Sequence, residues 1–220
     1  MIISAIFFSG CGKDFGEITL PAEVAAVTPA PVPEKISTDV YFDATVSMQG
    51  YTTLAAGNFY RTLPDSLNDI CGSMGEVSFY SFGENIRALD RQESRRFNSP
   101  APYTEIITAV HNVIDKSDAS HLSIIVTDLF ESDADWSNIA QKIREKYFAQ
   151  HLAAAVIGVK NSFNGDIFDV GLNAASFHYD SNAAPEKFRP FYLLLLGRQE
   201  LIENFMQKFS ERQTPENETQ

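Results

Sequence analysis

Cysteine is scarce in this chain: Cys11 and Cys71 are the only two in 220 residues. Two cannot build a disulfide framework, and neither belongs to a CxxC or Cys/His pattern of the kind that holds zinc. Positive charge is also short. Seventeen Lys and Arg stand against 29 Asp and Glu, a formal net charge of −12; so acidic a chain repels phosphate backbones, which argues against nucleic acid as a partner. The longest apolar stretches fall well below the ~20 residues that cross a bilayer, and the four leucines at 193–196 read as a core strand. There is no GxSxG nucleophile motif and no phosphate-binding GxxxxGK[ST] loop. His111, His121, His151 and His178 are scattered and form no Ser/His/Asp pattern. What is present is an ordinary globular composition, 44% hydrophobic and 21% charged, which excludes a wholly disordered chain, a collagen and a long coiled coil. The length suits one domain, or one domain with an appendage, burying roughly 70% of its unfolded surface.

The chain opens with the apolar stretch Ile2–Phe8, about the length of a signal-peptide core. Two small residues, Ser9 and Gly10, stand directly before Cys11. Small residues let a signal peptidase seat its substrate, and the cysteine supplies a thiolate that can take a diacylglycerol. The segment resembles the lipobox of bacterial lipoproteins, although no Lys or Arg precedes the apolar run. The resemblance implies a signal peptide at 1–10, lipidation of Cys11 and anchorage in the bacterial cell envelope, with Gly12 leaning toward the outer membrane. The alternative is an N-terminal strand with an incidental cysteine. Residues 11–36 hold the cysteine and an Ala/Pro tract between Pro21 and Pro33. Proline lacks the helical donor and clashes with the preceding turn, so this tract reads as a semi-rigid spacer of about 3.1 Å per residue. Membrane affinity would come from acyl chains.

Residues 37–210 read as the folded domain and 211–220 as a polar tail. Val40–Phe42 is a short strand ending at Asp43. Leu54–Ile70 has helical periodicity, with Pro64 bending or splitting it. Glu76–Phe82 alternates as a strand, and Asn85–Leu89 forms a short edge. A polar loop runs from Asp90 to Tyr103. Thr104–Ile114 reads as a helix, His121–Thr127 as a buried parallel strand ending at Asp128, and Asp135–Tyr147 as an amphipathic helix. Leu152–Val159 and Phe191–Leu196 are strands, and Gln199–Phe209 is the last helix. Alternating strands and helices imply an α/β domain with a mostly parallel sheet covered on both faces. The stretch 160–189 has no helix and suggests a hairpin insertion. Cys71 reads as a small buried hydrophobe.

In such sheets ligands bind at the carboxyl ends of strands. Asp43, Thr45 and Ser47 follow the first strand, Thr104 precedes a helix and Asp128 ends the central strand. Two carboxylates and three hydroxyls, with no His or Cys, suit a hard octahedral cation such as Mg²⁺ or Mn²⁺. Asp43-x-Thr45-x-Ser47, then Thr104, then Thr127-Asp128, resembles the metal-ion-dependent adhesion site of von Willebrand factor A domains. Thr45 stands where serine is usual but keeps the hydroxyl. The resemblance implies a three-layer α/β/α fold with a single short antiparallel edge strand. It implies that Thr45 and Ser47 ligate the metal, with Thr104 direct or through water and Asp43 and Asp128 mostly through water. It further implies a binding protein with no enzymatic activity, whose protein ligand fills an open coordination position with an acidic side chain. Phe163, Asn164, Asp166, Phe168 and Tyr179, on the insertion, are candidates for partner contact, or else they close a local core. Two alternatives carry over. An aspartate ending the first strand also occurs in Mg²⁺-dependent haloacid-dehalogenase-like phosphatases, where it is the nucleophile. A structural envelope lipoprotein without a working metal site is the other.

Overall fold

The computed structural model describes residues 3–8, 36–54, 58–130, 136–168, 176–181 and 184–213. In chain order the strands are β1 (Ile3–Phe8), β2 (Ile36–Asp43), β3 (Gly75–Phe82), β4 (Ile86–Leu89), β5 (Leu122–Thr127), β6 (Ala153–Asn161), β7 (Asn164–Phe168), β8 (Ser176–Asp180) and β9 (Arg189–Gly197). The helices are α1 (Val46–Gln49), α2 (Leu63–Met74), α3 (Arg91–Arg95), α4 (Val110–Lys116), α5 (Trp136–Lys146) and α6 (Gln199–Gln213). Seven strands form one sheet in the order β1-β6-β9-β5-β2-β3-β4, and β7 and β8 pair separately as the antiparallel hairpin expected within 160–189.

The mixed α/β sheet agrees with the sequence. β2 runs parallel to both β3 and β5, with Val40 opposite Phe79 on one side and Ile124 on the other. β6 shares that direction, and the short β4 lies antiparallel at the edge as expected. Two strands depart from the single antiparallel edge expected, β1 at the far edge and β9 inside the sheet. β9 lies between β5 and β6, antiparallel to both, with Leu193 opposite Val126 and Ile157. The reason is the connection: the chain leaves β6 through the β7–β8 hairpin, and among the described residues no α-helix carries it back to the starting edge. Without a crossover helix a returning strand pairs antiparallel.

β1 closes the far edge antiparallel to β6, Ile3 opposite Val159 and Phe8 opposite Ala154. These residues coincide with the expected signal-peptide core. Cys11 lies outside the described residues. So does the whole linker except Ile36, which opens β2. Among the described residues no helix is long and apolar enough to cross a membrane.

Alternate strand residues divide into two apolar clusters, as the two-residue period of a strand requires. Val40, Phe42, Ile124, Val126, Ile157, Leu193 and Leu195 pack with Leu63, Leu67, Ile70 and Cys71 of α2 and with Leu201, Ile202, Phe205 and Phe209 of α6. Tyr41, Ile125, Ala154, Leu194 and Leu196 pack with Val110, Val113 and Ile114 of α4, Ile139 of α5 and Tyr147. Each fully buried Leu, Ile or Phe here is worth roughly 1.5–3 kcal/mol. Cys71 is a free, buried thiol of the first cluster.

Two helices begin later than periodicity predicts. α2 starts at Leu63 after a 3₁₀ turn at Tyr60–Thr62, with Pro64 in its first turn, where a missing N–H breaks no hydrogen bond. α4 starts at Val110, not Thr104. The residues before it are held by sheet-like bonds: Glu105 N donates to Ala44 O at 3.1 Å, and Val46 N donates to Glu105 O at 2.9 Å. Ile106 and Ile107, whose spacing suggested a helix face, are exposed. The loop after β4 carries α3, which Asp90 and Glu93 cap reciprocally.

Candidate metal centre

The site forms where β2 and β5 end side by side. Asp43 Oδ1 accepts from Thr45 N at 3.0 Å and from Thr45 Oγ1 at 2.6 Å, an Asx turn that redirects the chain into α1. The turn sets Ser47 Oγ 3.0 Å from Thr45 Oγ1. Across the strand boundary Thr127 Oγ1 donates to Asp43 Oδ2 at 2.7 Å. Thr127 Oγ1 in turn accepts from Leu129 N at 3.1 Å, and Leu129 sits at φ 58°. A non-glycine residue in this left-handed region costs of order 1 kcal/mol or more. This bend follows Asp128, whose Oδ1 accepts from Phe130 N at 3.1 Å. Asp128 Oδ2 is buried and has no hydrogen-bond partner.

Asp43, Thr45, Ser47 and Asp128 therefore come together as the sequence predicts. Asp43 is 0% exposed, Thr45 1% and Ser47 6%. Thr104 does not join them: it is exposed. Thr108 takes the place instead, buried and donating from Oγ1 to Thr45 Oγ1 at 3.3 Å. The cause is the Glu105 bridge to Ala44 and Val46, which draws the segment across the site and delivers the threonine three residues beyond it. Both threonines satisfy a pattern that asks for a later Thr, so the motif alone does not choose between them.

Burial raises the Asp43 carboxyl to about 7, and the charge of Asp128 adds to the effect; hydrogen bonds from Thr45 and Thr127 oppose it. Burial also raises Asp128, against the Phe130 N–H, the Arg189 charge and the Ser47 hydroxyl. Two like charges in a dry site repel one another. Near them lie buried phenols. Tyr60 and Tyr103 hydroxyls meet at 2.9 Å, Tyr103 donates to Phe97 O at 2.7 Å, and Tyr51 donates to Pro190 O at 2.5 Å. Burial pushes all three well above the ordinary phenol range.

These residues fit a hard cation. Among the described residues no group of three or more His, Cys, Asp or Glu assembles, so the donors are two carboxylates and three hydroxyls, all oxygen. The unmet Asp128 Oδ2 and the Asp43–Asp128 repulsion are both answered by a positive charge. Comparison with protein-family models, with curated proteins and with solved structures finds no match. The chemistry of the site is thus argued from its own atoms.

The insertion packs against this end of the sheet, with β7 contacting α1 and the 3₁₀ turn Gly50–Thr52. Of the two roles open to Phe163, partner contact or a local core, it takes the second. It is 0% exposed, edge-on to Tyr51 with ring centroids 4.9 Å apart. Asn164 and Asp166 are exposed and paired within the hairpin, Asn164 to Asp180 at 3.0 Å and Asp166 to His178 at 3.2 Å. Tyr179 is half-buried, its hydroxyl donating to Lys187 O at 2.7 Å. Phe168 ends β7 opposite Ser176, and its side chain lies outside the described residues.

Proposed function

We propose that this chain is a lipid-anchored, extracytoplasmic von Willebrand factor A-like domain of three-layer α/β/α type, using Mg²⁺ or Mn²⁺ to capture a protein ligand in the bacterial cell envelope. The observation that carries the reading is the buried Asp128 Oδ2 without a partner, beside a second buried carboxylate and three hydroxyls. Thr45, Ser47 and Thr108 would hold the cation through hydroxyls, with Asp43 and Asp128 supplying the negative field. The cation would supply a positive, carboxylate-seeking position on a protein whose own charge is −12. Both Asp43 oxygens already accept hydrogen bonds, from Thr45 and Thr127, and the residue is 0% exposed. That enclosure speaks for a structural role and against a phosphatase nucleophile.

The antiparallel β9 departs from the arrangement the resemblance implies, but it lies beyond β5 and leaves the β2–β5 half unchanged. Cleavage before Cys11 would remove β1 and leave β6 as the sheet edge. Capture from bacterial envelope extract tests the reading. Wild type should retain an acidic protein ligand in Mg²⁺ and release it in EDTA, while Asp128→Ala should retain nothing in either. Equal capture by both proteins, with or without Mg²⁺, would refute it.

A further inference from the structure

Arg189 opens β9 opposite Asn161, at the same end of the sheet as Asp43 and Asp128. Its guanidinium carbon stands 4.6 Å from the centroid of the buried Phe163 ring. Arg189 Nη1 is buried and has no hydrogen-bond partner, the same condition as Asp128 Oδ2. Phe163 packs in turn against Tyr51, four residues past Ser47, which sets the arginine on the α1 side of the site. The guanidinium charge opposes the rise of Asp128, yet the structure shows no ion pair between Arg189 and Asp128. A guanidinium near an aspartate normally closes on it with two parallel hydrogen bonds. Here the guanidinium lies over Phe163 instead. Two half-buried charged groups each keep one buried atom unmet, and such atoms are costly to leave unmet.

A ligand that answers both must bring negative oxygen to Arg189 and positive charge toward Asp128. A carboxylate carried on a divalent cation does both. We propose that Arg189 is a specificity-determining residue of this site, taking one oxygen of the ligand carboxylate while the other goes to the cation. The proposal rests on the cation-site reading above and narrows its ligand class. The arginine adds to the cation's own preference for an anionic carboxylate over a neutral oxygen donor of the same shape, because only the anion also meets the guanidinium charge. A single water, donating to Asp128 and accepting from Arg189, is the rival occupant.

The test uses the full chain with Mn²⁺, acetate and its neutral isostere acetamide. Calorimetry measures Mn²⁺ affinity. Water-proton relaxation of the Mn²⁺-loaded protein then reports displacement of metal-bound water by each probe. Wild type should prefer acetate over acetamide at least tenfold. Arg189→Met should bind Mn²⁺ within threefold of wild type, or more tightly, and show that preference cut at least fivefold, to what the cation alone gives. Arg189→Lys should keep part of it. Arg198→Met removes the same charge just past the other end of β9 and should behave as wild type. The proposal is overturned if Arg189→Met keeps the acetate preference undiminished, if Arg198→Met reduces it equally, or if acetate leaves wild-type relaxation unchanged. Mn²⁺ binding with an Arg189-independent acetate response removes this proposal and leaves the cation site standing, whereas absence of Mn²⁺ binding removes both. If Arg189→Met does not fold, a full wild-type preference in Arg189→Lys overturns the proposal.

Discussion

Replacing Asp43 with Asn should stabilise the metal-free protein above neutral pH, although it alters a fully buried residue with three hydrogen bonds. The folded-state carboxyl titrates near 7 and the ordinary value is 3.8. Between those values the folded protein holds a proton that the unfolded chain has released, so stability is present at low pH and lost as pH rises toward 7. At about 1.4 kcal/mol per pH unit the loss reaches ~2–4 kcal/mol above pH 7, allowing for a share carried by Asp128. Asn has the same shape, accepts from Thr45 through its carbonyl, and lets the Thr127 hydroxyl rotate to accept from its amide. At ~2–4 °C per kcal/mol for a domain of this size, Asp43→Asn should melt roughly 5–10 °C above wild type at pH 8 in EDTA. The two should converge near pH 4–5. Saturating Mg²⁺ should reverse the order, because it stabilises only a protein that binds it. Differential scanning calorimetry of both proteins from pH 4 to 8, with EDTA or Mg²⁺, is the assay. The difference between the two proteins cancels titrations they share. A wild type that matches or exceeds Asp43→Asn at pH 8 in EDTA would refute the argument that burial and Asp128 oppose ionisation of Asp43.

Two other outcomes follow from particular contacts. Thr108→Val keeps volume but removes the hydroxyl that reaches Thr45, and should weaken Mn²⁺ binding at least tenfold by calorimetry; Thr104→Ala, at an exposed residue, should change it less than twofold, and the reverse ranking would return the role to Thr104. Gly50→Ala would put a methyl group 2.4 Å from the Phe163 ring, so urea unfolding should show a loss of ~1–3 kcal/mol; an unchanged midpoint would mean that the hairpin yields without cost.

Much of the arrangement was legible before any coordinates. Apolar runs such as Leu122–Thr127 and Leu193–Leu196 announce buried strands because both faces of a central strand meet helices. Asp43-x-Thr45-x-Ser47 announces which side chains gather, because they lie within five residues, while the Asx turn and the helix from Val46 that gather them emerge only in the fold. Local signals misled at Thr104–Ile114. Helical spacing is present there, but the backbone of Glu105 bonds to Ala44 and Val46, some sixty residues earlier in the chain, and these bonds displace the helix start.

The sequence by itself determined the type of most elements, the two-sided burial of the sheet and the carboxylate–hydroxyl character of the site, because each depends on periodicity or on neighbours within a few residues. Only the tertiary structure decided that β9 runs antiparallel between β5 and β6, that Thr108 and not Thr104 reaches Thr45, that Phe163 is core, and that Arg189 lies over Phe163 with a buried Nη1 unmet. These depend on contacts between residues far apart in the chain. Which of many chemically equivalent partners meets which is set by the packing of the whole domain, and no local spacing encodes it.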